Sequence, residues 1–400
     1  MTQRRVTATL TLALTGALGL AAISTLAQSG DAALPGGPLA GISPREFEEF
    51  RLGLDDFLEV ETSDEGLGPI FNGTSCAGCH SVPVIGGISP VSEVRVGRLT
   101  PDGQFTPATE SGETLMHLFS IPTHACQAAV PPEANVVARR VPIPVFGAGL
   151  VEAIEDDTLL ALEDPTDRDR DGVSGRAAIV TDLATGARRV GRFGWKAQHA
   201  TLLAFGADAY RNEMGITNQL IPTEAVASAG SARMRECDLI PDPEDVPDPN
   251  TGRRGIDNFA SFMRLLAPVQ RGRLDASTAL DGERMFGALG CTTCHVPALR
   301  TGPSANPLFD RRQVPLYSDL LLHDVGTGDG IQQAAALPRE LRTPALWGLR
   351  FRRPLLHNGS AATIDSAVRR HDAEARTARD GYERMSDAER ATLVAFLNSL

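Results

Sequence analysis

The 400-residue chain is poor in aromatic residues, which make up 5% of the total, with two tryptophans and three tyrosines. That is little ring bulk for so long a chain, and it is consistent with large flat apolar bodies that the polypeptide does not itself encode. Positive charge is short as well: 38 Lys and Arg stand against 50 Asp and Glu, a formal net charge of −12. An excess of carboxylates argues against a nucleic-acid binder, because the phosphate backbone rewards clusters of Lys and Arg. Beyond the first residues no run approaches the roughly 20 apolar residues of a membrane span. No cysteine lies near Ala27, so a lipid-anchored terminus is not expected either.

What the chain does have begins at its start. Arg4 and Arg5, an apolar run and the small-residue site Thr25-Leu26-Ala27 have the form of a secretory signal peptide over residues 1–27. Its removal takes away two positive charges and moves the balance from −12 to −14. The remainder is expected in the periplasm or otherwise exported, with no membrane span in the mature form. A redox partner steered by long-range charge would be basic.

Six cysteines are present, and four fall in two C-x-x-C-H strings, Cys76-Ala77-Gly78-Cys79-His80 and Cys291-Thr292-Thr293-Cys294-His295. Each pair of thiols at this spacing can add to the two vinyl groups of one porphyrin, and the next residue, His, then reaches the iron as axial ligand. A zinc site would want four ligands at finger-like spacings, and a thioredoxin-type pair needs no adjacent His. Two covalently bound c-type haems are therefore predicted. Cys126 and Cys237 remain. In an oxidising compartment a disulfide between them is the expectation, with two buried thiols as the alternative.

Helical patterns occupy residues 43–60, with Ser43 and Pro44 as N-cap and first turn, then 150–163 and 255–268. Residues 92–147 hold short alternating segments and many prolines, and predict an inserted, partly β or irregular subdomain. From Asp281 the order is a helix, the second haem motif, a long loop region and a last helix at 386–400. The organisation expected is a flexible leader (28–42), an N-terminal haem domain with an insertion (43–268) and a C-terminal cytochrome c-like domain (269–400). Asp167, Asp169 and Asp171 alternate ahead of Gly172, as in the front half of a calcium loop. Ala178 stands where an EF-hand loop has its final Glu, so a calcium ion here would complete its shell elsewhere.

The surroundings of the haem motifs add a resemblance. GLGPIFNGTSCAGCH, GAGLVEAI, RDGVSGRA, GRFGWKAQ, NEMGIT, LGCTTCHVPAL, YSDLLLHDVG and RTPALWGL occur in that order. Over roughly residues 43–400 the chain resembles the bacterial di-haem oxidoreductases, members of which carry the label thiol oxidoreductase, and which are related to di-haem cytochrome c peroxidases and MauG-type enzymes. The resemblance implies a mainly α fold of two cytochrome c-like domains with haems near their interface. It also implies a soluble donor, a small cytochrome or cupredoxin.

Carried over by position, the string from His357-Asn358-Gly359-Ser360 places His371 where those peroxidases have a distal Met, which implies a bis-histidine haem with His295 and His371. An imidazole in place of a thioether lowers the reduction potential. His357 and His323 are secondary candidates for iron ligands, with a hydrogen bond to a haem propionate or loop backbone as the alternative for His357. Trp195 of GRFGWKAQ matches a Trp lying between the haems, and Glu213, before Met214, matches a distal carboxylate that handles protons. The distal Gln of these relatives falls at Leu203 or Phe205, with Gln198 nearby but out of register. A sixth ligand for the first haem is open among His117, His124, His199 and none. The readings to be weighed are an oxidoreductase with a reactive first haem, an electron-transfer cytochrome with two closed haems, and a small-ligand binding or sensing protein.

Overall fold

The structure is a computed structural model and describes residues 35–107, 112–121, 126, 130–225, 237, 238 and 240–400. The signal-peptide segment, residues 28–34 of the leader and His124 lie outside the described residues. The first helix, Pro44–Leu58, begins where its chemistry dictates. Ser43 accepts from the Glu46 N–H, and Glu46 reaches back to the Ser43 N–H at 2.7 Å, a reciprocal cap. The helix buries Phe50 and Phe57 against Phe262 of Gly255–Leu265. The two helices approach closely at Gly53, where a Cβ would lie 2.2 Å from the Asn258 carbonyl oxygen. The helix Leu202–Met214, capped by Thr201, packs on the same core through Leu202, Ala207, Tyr210 and Met214.

The segment expected as one helix over 150–163 is two short ones, Ala148–Glu152 and Asp156–Leu160. The buried Arg192 explains the break. Its guanidinium donates to the carbonyls of Glu152 and Ile154, which a continuous helix would need for its own N–H groups, and it pairs with Asp156. The insertion over 92–147 contains a four-stranded antiparallel sheet. Its central strand Glu93–Leu99 pairs with Val136–Arg140 on one side and with Phe105–Pro107 and Leu115–Met116 on the other.

In the C-terminal part, Ala276–Ala288 and Asp387–Ser399 pack around Phe286, Tyr317, Tyr382 and Phe396. Residues Leu299, Phe309, Leu316, Leu320 and Trp347 belong instead to the larger core built on Phe50 and Phe262. The described residues pack as one compact unit. With 31% helix and 15% strand the fold is mixed, its helices forming the two main cores and its strands small sheets. Cys126 and Cys237 are joined by a disulfide across 111 residues of chain. No helix among the described residues is long and apolar enough to cross a membrane.

Candidate active site

Each C-x-x-C-H string makes a single tight turn, Cys76–Cys79 helical and Cys291–Thr293 of the 3-10 kind. The turn folds each histidine back beside its cysteines: the His80 N–H donates to the Cys76 carbonyl at 3.1 Å and that of His295 to Cys291 at 2.9 Å. Both thiols and the imidazole of each motif then line one cavity, of about 180 Å³ for the first and about 400 Å³ for the second.

The rings are held alike. His80 Nδ1 lies 3.0 Å from the Gly87 carbonyl and His295 Nδ1 3.0 Å from that of Tyr317. A carbonyl can only accept, so each Nδ1 carries the proton and each Nε2 keeps its lone pair. Burial lowers the pKa of both histidines, that of His295 to about 4, which keeps them in the neutral form a metal requires. His371 repeats the pattern, with Nδ1 2.8 Å from the Ala367 carbonyl and burial lowering its pKa. It follows the short helix Ile364–Arg369 and lines the second cavity together with His295.

The second cavity is also lined by Arg342 and Arg352. Both are buried, their pKa values pushed down to about 10 by desolvation, and neither forms an ion pair among the described residues. Their guanidinium groups donate only to carbonyls, Arg342 to Gly194 and Thr343 and Arg352 to Ala345. Two buried cations without a counter-ion call for anions. The two propionates of a haem would supply them, so donors, thiols and charge all fit the group the motif implies. At the first cavity Arg140, 2% exposed, leaves its Nη2 without a partner.

Trp195 lines both cavities. Its Nε1 donates to the Val141 carbonyl at 2.8 Å, and its ring meets that of His357 edge-on with centroids 6.2 Å apart. His357 lines the second cavity with Nδ1 unpartnered, its pKa lowered to about 4 by burial. His323 is different. Nε2 faces Asp319 and Nδ1 faces Glu374, both at 2.8 Å. Burial alone would lower its pKa, but the bonds to Asp319, Cys294 and Glu374 hold it well above the ordinary value. Both nitrogens are occupied in an imidazolium, so this ring has no lone pair for iron.

The first cavity has an asymmetric lining. Among the described residues His80 is the histidine that lines it. His117 donates from Nε2 to the Asn212 carbonyl at 2.8 Å, and His199 pairs with Asp208 at 2.9 Å, and neither ring lines the cavity. Glu213, near the end of the helix Leu202–Met214, does line it and accepts from Asn72 Nδ2 at 3.0 Å. Burial, then the charge of Glu93, push its pKa up to about 8, so it holds a proton at neutral pH. Glu93, Arg95 and Arg140 complete this wall. They come from the inserted sheet and carry no motif, so local spacing does not reveal them. Of the two positions matched to the distal Gln, Phe205 lines the cavity and Leu203 does not, and Gln198, out of register, lines it as well. A tight turn at Gly194, with φ of +79°, brings Gln198 there, so an amide is in the lining although the matched position is apolar.

At the acidic turn the carboxylates of Asp167, Asp169 and Asp171 converge, with ligand atoms within 4.8 Å of one another. Asp167 also accepts from the Gly172 N–H at 3.2 Å.

Two buried cavities, each closed by a C-x-x-C-H turn and bridged by one Trp, define a protein built around a pair of redox cofactors. The family described as "Di-haem oxidoreductase, putative peroxidase" matches residues 127–400, well over half of the chain, and the protein belongs to this family. The match begins after the first motif. A search of curated proteins returned no match. Among solved structures, hydrazine synthase of Kuenenia stuttgartiensis is 15% identical, with all of each chain covered and a TM-score of 0.39. The di-haem peroxidase BthA of Burkholderia thailandensis is 15% identical over 90% of this chain and 86% of that one, with a TM-score of 0.32. A MauG-like protein associated with microbial copper homeostasis is 16% identical over 64% and 89%, with a TM-score of 0.32.

Proposed function

We propose that this chain is an exported di-haem c-type cytochrome that reduces a peroxide at its first cavity with electrons received at its second. The observation that carries the reading is the asymmetry of histidines. His295 and His371 line the second cavity together, each with Nε2 free, whereas the first is lined by His80 and a protonatable carboxyl, Glu213. In this reading Cys76, Cys79 and His80 hold one haem. Cys291, Cys294, His295 and His371 hold the other, with Arg342 and Arg352 beside its propionates. The haems, when bound, supply the electron-transfer and peroxide-reducing chemistry.

The polypeptide does the remainder. His295 and His371 close one site to exogenous ligands. Trp195, in both linings, excludes water between the sites and provides a path for electrons. Glu213 holds a proton at its carboxyl and delivers it to the oxygen that leaves when a peroxide is cleaved. Overall one hydrogen peroxide, two electrons and two protons give two waters. The electrons come from a soluble small cytochrome or cupredoxin. The division into haem domains at 43–268 and 269–400, with the haems near their interface, belongs to the same proposal, as does a structural calcium ion at Asp167, Asp169 and Asp171.

Met214 and Met263 also line the first cavity, and a thioether from either would close it. That favours a second reading, an electron-transfer cytochrome with two six-coordinate haems. The optical and paramagnetic spectra of purified holo-protein decide between them. A high-spin signal from one haem, and binding of cyanide or carbon monoxide, are expected. Two low-spin haems that bind neither ligand in any redox state would overturn the peroxidase reading.

A further inference from the structure

The inserted sheet adds something to the first cavity that no motif announces. Glu93 and Arg95, two residues apart on the central strand, leave it on the same face. The register sets Arg140 of the neighbouring strand directly opposite Glu93. All three line the cavity, and the helix Leu202–Met214 brings Glu213 to them. Two carboxyls, Glu93 and Glu213, thus share one buried wall, and each acts on the proton affinity of the other. An ionised carboxylate only accepts, so two carboxyls can bond to each other only when one of them keeps a proton. Like charges so close in a buried site also keep both from ionising together.

The surroundings decide which member keeps the proton. Arg95 holds Glu93 with Nε at 2.6 Å and Nη2 at 3.0 Å, and Arg140 Nη1 lies 3.8 Å away. Glu213 has the neutral Asn72 amide at 3.0 Å. The other titratable groups near Glu213 are Cys79, on the motif turn, and Asp208, which is paired with His199.

We infer that Glu93 and Glu213 form a proton-sharing carboxyl pair, in which Glu93 is the ionised member and a positioning residue that keeps Glu213 protonated for delivery to an oxygen ligand. This rests on the reading of the first cavity as the reactive one. Burial alone would raise Glu93, but Arg95 and then Arg140 bring it below its ordinary value, while Glu213 rises to about 8. Once Glu213 gives up its proton, the second negative charge meets Arg95, the cation of this wall whose charge acts on it.

Infrared titration of holo-protein labelled with 13C-glutamate reads the proton directly, without turnover. Wild type is expected to show a buried protonated carboxyl at pH 7 that is absent from Glu213→Gln. In Glu93→Gln its titration midpoint falls by at least about one pH unit, a tenfold loss of proton affinity, and Glu93→Asp restores most of the shift. No such band in wild type, or an unmoved midpoint in a Glu93→Gln protein with normal haem spectrum and circular dichroism, overturns the pair. If Glu93→Gln does not fold, wild type decides. One proton lost in a single step supports the pair, and two independent steps in the acid range refute it. A protein that reduces no peroxide yet shows the shifted midpoint keeps the pair and sinks the peroxidase reading. Peroxide turnover with an unmoved midpoint does the reverse.

Discussion

Glu213 makes the proposed chemistry testable by pH alone. Its carboxyl is buried and its pKa stands at about 8 rather than 4.5, through desolvation first and the charge of Glu93 second. With that value about 90% of the molecules carry the proton at pH 7 and about 9% at pH 9, so a step that consumes it slows roughly tenfold across this interval. Below pH 7 the group is saturated and the rate is flat on its account. Glu213→Gln is expected to lower the rate about 10²–10⁴-fold, the usual worth of a positioned general acid, and to abolish the fall above pH 8. The assay is stopped-flow mixing of reduced holo-protein with peroxide from pH 6 to pH 10.

Stability gives an independent check with a definite sign. Because the folded-state pKa is raised, the contribution of Glu213 is fully present below about pH 4.5 and is lost as pH rises through about 8. Wild type is therefore expected to lose stability over that window, and Glu213→Gln to lose less of it. A rate that stays level to pH 10 in wild type, with the variant equally fast, would refute the reasoning.

Three further outcomes are expected. Trp195→Phe removes the indole donor from the buried Val141 carbonyl. It should cost about 1–3 kcal/mol in denaturant unfolding and slow electron passage between the haems in flash photolysis, with both haem spectra unchanged. The disulfide closes 111 residues, so the chain-entropy relation puts its contribution at about 4.8 kcal/mol. The double variant Cys126→Ser/Cys237→Ser should lose about 2–5 kcal/mol in guanidinium unfolding, and a loss below about 1 kcal/mol would contradict that account. Calcium at a hundredfold excess over its dissociation constant should stabilise wild type by about 2.7 kcal/mol, read as a rise in Tm that Asp169→Ala abolishes.

Much of this protein was legible from local sequence, because the chemistry concerned is local. A C-x-x-C-H string needs one turn to bring its thiols and imidazole together, so the motifs ending at His80 and His295 stood out without any fold. The same holds for Ser43 and Glu46, whose reciprocal cap spans three residues, and for Asp167, Asp169 and Asp171. What required the tertiary structure are contacts made across long stretches of chain. Arg192 interrupts the helix after Glu152 from 40 residues away. Asp319 and Glu374 converge on His323 and remove it from the list of iron ligands, though LLLHDVG by itself reads as a plausible one. Glu93 and Arg140 meet through strand register, and Gln198 reaches the first cavity through the backbone turn at Gly194. Local spacing could count two haem motifs. The resemblance already paired His371 with His295 and set Glu213 at the first haem, but only packing decides that the imidazole stays neutral and the carboxyl keeps its proton, because that depends on burial and on charges distant in sequence.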